Sequence, residues 1–274
     1  TGASVADATA SAEGTSKSAE SGDGNTSADD QIGGATQTAN DRSGDGDTTG
    51  GQASAASSGG SVAVGAAVAV NVSSLDVTAV LDGVDVTGAT TLASAADMDA
   101  EALADGSAAT GEDDENPGSG DRVGVAVAIN VGTLTNEAGL LSGAVIGAFS
   151  ASATMAAGGA HLMRAEAKSG ASGGETGVAG SFALLIANGT TRALQDGSVS
   201  AGGGDVSLDA AATTTNTVKA TAAQSGAETA TGVGASIAIS VADHLTVAEV
   251  TGDVLGADDL SLTATGAHTA TTEA

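Results

Sequence analysis

The sequence has almost no aromatic residues, no cysteine and a single proline. Phe149 and Phe182 are the only Phe, Tyr or Trp side chains in 274 residues. An ordinary globular core of this size uses many aromatics, because each buries roughly 150–250 Å². The lack of cysteine excludes disulfides and thiolate metal sites. The core must therefore consist of Val, Ile, Leu and Ala, which suits thin, regular layers better than one thick core.

Basic residues are also scarce. Seven Lys and Arg stand against 34 Asp and Glu, so the formal net charge is −27. Without a basic stripe for a phosphate backbone, we expect no nucleic-acid partner. We expect no membrane insertion either, since no long uninterrupted apolar run occurs and an anionic surface would repel the chain. An acidic, cysteine-free composition biased to Gly, Ala, Thr and Asp is typical of long exported bacterial proteins.

One apolar sequence motif is repeated along the chain. Its four copies lie near residues 61–72, 123–131, 182–188 and 235–241. Their aligned ends are separated by 59, 57 and 53 residues: Val72, Val131, Asn188 and Val241. A glycine turn follows each copy: Asp82-Gly83, Ser142-Gly143, Asp196-Gly197 and Thr251-Gly252. A period in this range predicts stacked units, none of which can bury its apolar face alone.

Alternation within each copy predicts a strand with two unlike faces. In the second copy the odd-numbered residues from Val123 to Val131 are Val or Ile, whereas the residues between them are Gly, Ala and Asn. We expect the Val/Ile face to supply the interior. Val127 and Ile129 are then buried, and Arg122 is exposed.

These features predict an all-β protein, a parallel β-solenoid (β-helix) in which residues 1–274 form one continuous fragment. One wide coil of 53–59 residues per repeat is favoured over several ordinary rungs, because each repeat marks only one tight turn and one variable loop. Ala95–Ala104 and Ala160–Lys168 contain good helix formers, yet they occupy a strand position, and stacking favours the strand. Both termini fall inside a repeat, so we expect a piece of a longer array.

The variable loops fall at one position of the repeat, which places them along one edge of the stack. Residues 14–60 predict a long, acidic, flexible loop, and residues 105–121 predict a second acidic loop. Solvated acidic loops are the favoured interpretation, with loose Ca²⁺ association as the alternative and no other cofactor expected. The candidate calcium ligands are Asp45, Asp47, Glu112, Asp113, Asp114 and Glu115.

Catalysis is not expected from this sequence. His161, His244 and His268 lie in different units and share no motif. A polysaccharide-active β-helix enzyme needs paired carboxylates or a basic residue in a groove, and no such set stands out.

The Ala/Gly/Asn face of the repeated strand is small and uncharged, which predicts a contact surface for self-association or for neighbouring repeats of the same protein. Each unit reads as a long strand, a glycine turn with a short strand, and a third, long strand. The alternative is that this third strand of the same unit covers the face. The candidate interface residues are Ala69, Asn71, Ala126, Ala128, Asn130, Leu185, Ala238 and Ser240.

The residue pattern around Gly124–Val131, followed by a glycine turn and an Ala/Thr/Ser strand, resembles repeats of very large bacterial surface proteins, the filamentous-haemagglutinin-like and giant-adhesin class. The resemblance covers residues 61–274 and implies secretion, a right-handed solenoid and a role as stalk, filament or biofilm matrix scaffold. An adhesin-type binding module, using the variable loops on a surface or glycan ligand, is the alternative. The class carries no catalytic residues.

We predict that shortening Gly14–Gly60 to the length of Ser225–Gly232 leaves the fold intact. Loop-closure entropy changes by only about 0.6 kcal/mol per doubling of length, so stability should change by less than about 2 kcal/mol. Urea denaturation of the shortened and full-length chains measures this difference. Loss of the cooperative transition would show that the segment is packed structure.

Overall fold

The computed structural model describes residues 1–12, 14–15, 62–109, 121–147, 152–172, 176–225 and 231–274. Every regular element in these ranges is a β-strand, which confirms the all-β prediction. The two helix-prone segments, Ala95–Ala104 and Ala160–Lys168, lie within 20-residue strands. Stacking on neighbouring strands has overridden their local helix propensity.

Each repeat contributes one strand to each of three parallel sheets. The front sheet contains β3 (Val62–Leu81), β6 (Asp121–Leu140), β9 (Thr176–Gln195) and β12 (Thr231–Val250). The edge sheet contains β4 (Asp85–Thr87), β7 (Val145–Gly147), β10 (Ser198–Ser200) and β13 (Val254–Leu255). The back sheet contains β1 (Gly2–Ser11), β5 (Thr90–Ala109), β8 (Ala153–Ser172), β11 (Val206–Ser225) and β14 (Leu260–Glu273), with β2 (Gly14–Thr15) also pairing with β5.

The register keeps equivalent residues of successive repeats in one file, so the parallel sheets form a solenoid-like stack. Val72 pairs with Val131, Val131 with Ile186 and Ile186 with Val241. The predicted alignment of Asn188 with this file is wrong by two residues, because Asn188 pairs with Thr133. Asn188 was aligned with Val72 and Val131, whereas Ile186 occupies that position.

The glycine turns are needed for two different reasons. Gly83 and Gly143 have φ values of 60° and 86°, a left-handed conformation that favours glycine. Gly197 is required by close packing instead, because a Cβ there would lie 2.8 Å from the Leu141 carbonyl oxygen. All three glycines stand in the turn between a front strand and its edge strand.

The prediction that the Val/Ile face forms the interior is wrong. The Ala/Gly/Asn face of the front sheet points inward, and Ala126, Ala128 and Asn130 are fully buried. Val127 and Ile129 point outward and are partly exposed, whereas Arg122 is only 1% exposed. The Arg122 side chain reaches along the strand, and its Nη1 donates to the Asp121 carbonyl at 3.2 Å.

The reason for this inversion is the short distance between the front and back sheets near the loop edge. A Cβ on Gly65 would overlap the Ser107 carbonyl, and one on Gly124 would overlap the Gly170 carbonyl. No side chain fits at these two positions, and the small inward residues beside them let the two sheets pack closely, with the β-branched residues facing outward. Residues 105–109, predicted as part of the second acidic loop, instead extend strand β5 along this narrow edge, and Gly14–Thr15 of the first predicted loop form β2 beside them. Residues 16–60 and 110–120 of the two predicted loops lie outside the described residues.

The interior widens toward the edge sheet. A second cluster of larger buried side chains fills the space where the three sheets meet; it includes Leu140, Ile146, Met155, Val199 and Leu208. The cross-section is therefore a wedge, with Gly and Ala at the loop edge and Leu, Ile, Met and Val at the turn edge.

Two buried asparagines tie the sheets together across the narrow part. Asn71 Nδ2 donates to the Ala6 carbonyl at 2.7 Å. Asn130 Nδ2 donates to the Ala100 carbonyl at 2.6 Å and to the Arg164 carbonyl at 3.0 Å. Because each acceptor belongs to a back strand, these amides fix the two sheets at one level along the strands.

We predict that Ala128→Leu destabilises the fold by about 1–3 kcal/mol, because the added atoms must push the sheets apart. Val127→Leu is the matched control: it places the same side chain on the outward face one residue away, where we expect a change within about 0.5 kcal/mol. Denaturant titration measures both. Equal effects of the two substitutions would contradict the inward assignment of the alanine face.

Candidate functional site

The eight residues predicted as an interface lie inside the molecule. Six of them are buried, and Ala238 and Ser240 in the last front strand are partly buried. Both asparagines among them bond to back strands, and the alanines and Leu185 belong to or pack against the core between the two sheets. Their assignment to an outer surface is wrong, because the third strand of each unit covers this face, as the alternative stated.

All six candidate calcium ligands, Asp45, Asp47, Glu112, Asp113, Asp114 and Glu115, lie outside the described residues. Calcium association therefore stays a prediction. Within the described ranges, no group of three His, Cys, Asp or Glu side chains could hold a metal ion.

The sequence analysis missed a site between the two sheets, because the three histidines line one small cavity. His161 is buried, His244 is partly buried and His268 is exposed. His161 of β8 and His268 of β14 both pair with Thr214 of β11, so they share one file of the back sheet. His244 reaches the cavity from β12 of the front sheet. Its ring stacks on that of His268, with the centroids 4.9 Å apart and the planes inclined by 20°.

Each histidine occupies space that a glycine leaves open. A Cβ on Gly159 would lie 2.8 Å from His161 Cε1, and one on Gly266 would lie 2.8 Å from His268 Nε2. A Cβ on Gly189 would lie 2.8 Å from His244 Nδ1. The sequence does carry a signal for this arrangement, since Gly-Ala-His occurs at 159–161 and again at 266–268, two repeats later.

Burial keeps two of these rings poorly solvated. Burial is the main cause that lowers the pKa of His161, and the charges of His244 and His268 lower it further against the opposing effect of Asp97. Burial and His268 likewise lower the pKa of His244, against Asp243. Neither ring nitrogen of His161 has a hydrogen-bond partner within the described ranges. The cavity therefore favours neutral imidazoles.

A single polar contact orients the cluster from the back sheet. Asn216 Nδ2 of β11 lies 3.0 Å from His244 Nε2, where a neutral ring accepts a hydrogen bond from the amide. Thr191, Thr214 and Thr246 complete the polar part of the lining, and Leu134 and Met163 the apolar part. Chemically, the cluster can take up protons when the pH falls.

The outer face of the front sheet is a second candidate, a surface. We call it the outer valine face: the outward residues of 64–72, 123–131, 178–186 and 233–241, twenty positions in five rows. Every one of them is Val, Ile, Leu, Phe, Ala or Gly. Seven of its members are at least 40% exposed: Val72, Val125, Val178, Val233, Ile237, Ile239 and Val241.

The outer face of the back sheet is charged instead. Arg164 contacts Glu166 at 2.7 Å and Glu101 at 3.8 Å. Lys168 contacts Asp105 at 3.0 Å, so opposite charges face each other on neighbouring strands. Exposed pairs of this kind contribute little stability, but they keep this face hydrated. The outer valine face and the outer face of the back sheet thus differ sharply in polarity.

Comparisons with known proteins leave these observations to stand alone. No protein-family profile, curated protein or solved structure matches this chain. The resemblance to bacterial surface-protein repeats therefore stays a prediction. No helix in the described part of the chain is long and apolar enough to cross a membrane.

We predict that the chain loses stability as the pH falls below about 6.5, and that His161→Gln weakens this loss. A base whose pKa is lowered by folding is more readily neutral in the folded state than in the unfolded state. Its contribution is therefore complete above the unfolded pKa and disappears as the pH falls through the folded pKa. Urea denaturation at several values between about pH 7.5 and about pH 5 measures how the free energy of unfolding changes with pH, across the range in which histidine ordinarily titrates.

Thr213→Gln, on the outward face of β11, is the matched control for His161→Gln. It introduces the same side chain without removing a titrating group, so we expect the slope of the unaltered chain. Parallel slopes for His161→Gln and the unaltered chain would show that His161 does not contribute to the acid sensitivity.

Proposed function

We propose that this chain is a structural repeat segment of a secreted bacterial surface or extracellular filament protein, in which right-handed coils of 53–59 residues form a stalk, filament or matrix scaffold. The constant register supports this proposal. Over three successive steps, each 20-residue front strand pairs with its counterpart along its full length. An uninterrupted backbone ladder of this kind is suited to bearing load along the stack.

The observation that carries the proposal is the state of the last rung. Val206 and Leu208 are buried, at 1% and 0% exposure. Their partners in the next rung, Leu260 and Leu262, are 50% and 46% exposed although they point the same way. Unpaired strand edges and uncovered core residues together are suited to a further rung. The comparison of these two rungs shows that each rung is covered by the next, and this mutual covering favours a role as part of a stack of repeats.

One observation favours the alternative, an adhesin-type binding module. The segments between Thr15 and Val62, Ala109 and Asp121, Ser172 and Thr176, and Ser225 and Thr231 all join the end of a back strand to the start of a front strand. The variable segments therefore leave from one edge of the stack, where a ligand could meet several of them. Calcium would be their natural counterion, given the acidic residues there.

Immunogold electron microscopy of the producing cells tests the scaffold proposal. We expect an antibody against this chain to label extracellular filaments on unpermeabilised cells, with an antibody against a cytosolic enzyme as the negative control. Oriented filaments should diffract at about 4.8 Å along their axis, the spacing of stacked strands. Label confined to the cell interior would contradict the proposed location, and filaments without this spacing would contradict the proposed architecture.

Replacing residues 110–120 with a neutral Gly/Ser segment separates the two functions. A scaffold keeps its filaments with this replacement. A binding module loses attachment of the cells to their surface while the filaments persist.

A further inference from the structure

The outer valine face is large, continuous and free of charged side chains on a chain whose net charge is −27. Its rows run straight across the front sheet, as in the file Val68, Val127, Phe182 and Ile237. The side chains in these rows are all apolar but differ in size, from Gly180 to Phe182. Contiguous exposed apolar surfaces of this kind mark interaction sites.

The chain itself cannot cover this face. The residues outside the described ranges contain only two large apolar side chains, Ile32 and Phe149. The longest of these segments, residues 16–61, joins strands whose ends lie at the loop edge. Ile32 is its one large apolar side chain, whereas the outer valine face has twenty positions. The composition of these segments therefore offers almost no apolar surface to this face.

We infer that the partner is a second copy of this chain, packed face to face through the outer valine face. Two copies that each carry −27 repel each other through their charged back sheets and acidic segments. The outer valine face is the one surface of the front sheet where they can approach without bringing charges together. The same face on a second copy supplies the same set of apolar rows, which is what a two-fold interface requires.

Charge also selects the orientation of the pair. A two-fold axis parallel to the stack reverses the strands, so the loop edges of the two copies lie on opposite sides. The other simple choice, an axis parallel to the strands, would place both acidic edges side by side. The first arrangement also keeps the two stacks parallel, so that every added rung extends the same interface.

The area is sufficient for a reversible dimer. Nine residues along each strand and four strands give a face of about 30 Å by 19 Å, or roughly 570 Å² per copy. The pair then buries roughly 1,100 Å², which exceeds the lower limit of about 1,000 Å² for a specific interface and falls below the standard size. We therefore expect micromolar association that strengthens with the number of rungs.

Sedimentation equilibrium of the purified chain tests this inference, and its outcome does not depend on the proposed function. We expect a monomer–dimer equilibrium that tightens in about 1 M salt, where the Debye length falls to about 3 Å and the repulsion between copies is screened. Val127→Lys, at the centre of the face, should weaken the dimer at least tenfold, even though it makes the net charge less negative and so reduces the repulsion between copies. Thr215→Lys, outward on the back sheet, adds the same charge and should leave the dimer intact.

A cross-linking experiment tests the orientation and is independent of the folding of the lysine variant. The chain has no cysteine, so single Val127→Cys and Thr215→Cys variants each carry one thiol. In the proposed pair, residue 127 faces its own counterpart across sheets about 10 Å apart, within reach of a short bis-maleimide. We expect a covalent dimer of Val127→Cys and none of Thr215→Cys.

Three results would overturn the inference. The first is a monomer at all concentrations in both low and high salt. The second is equal dimerisation of Val127→Lys and Thr215→Lys, which would place the contact elsewhere. The third is a chain that stays monomeric alone but floats with phosphatidylcholine vesicles through the same face, since the partner would then be lipid.

Discussion

The narrow gap between the front and back sheets is the constraint on which the rest of the structure depends. At Gly65 and Gly124 the two backbones approach so closely that a methyl group would overlap the opposing carbonyl. This spacing favours small inward residues next to these glycines, and it brings buried amides such as Asn130 within hydrogen-bond distance of the opposite backbone. It also forces the β-branched residues outward, so the composition of both faces of the front sheet follows from one distance.

A thin interior changes what stabilises the protein. Alanine buries little apolar area, so each rung contributes less hydrophobic free energy than a rung filled with leucine would. The continuous parallel ladders and the wider cluster around Leu140 and Leu208 must then supply much of the stability. Because each rung contacts mainly its neighbours, stability should accumulate rung by rung, as in other repeat proteins.

Periodicity was enough to predict the all-β fold, the stacking and three of the four residues in the predicted file. It could not predict which face is buried, because alternation shows that two faces differ and not which one meets the other sheet. Hydrophobicity favoured the Val/Ile face, but volume decided, as the burial of Ala128 beside the partly exposed Ile129 shows. Arg122 was misplaced for the same reason, since it shares the face of Ala126 and Ala128.

The histidine site shows a different limit of sequence reasoning. His161 and His268 are 107 residues apart, and only the register brings both onto Thr214. The repeated Gly-Ala-His could have been found, because the glycine is what makes room for the ring. His244 could not, since it pairs with Gly189 in the other sheet and its neighbours share no motif with Gly-Ala-His. In a two-sheet stack, a site built within one sheet leaves a periodic trace in the sequence, whereas a site built across the gap depends on how the two sheets are offset.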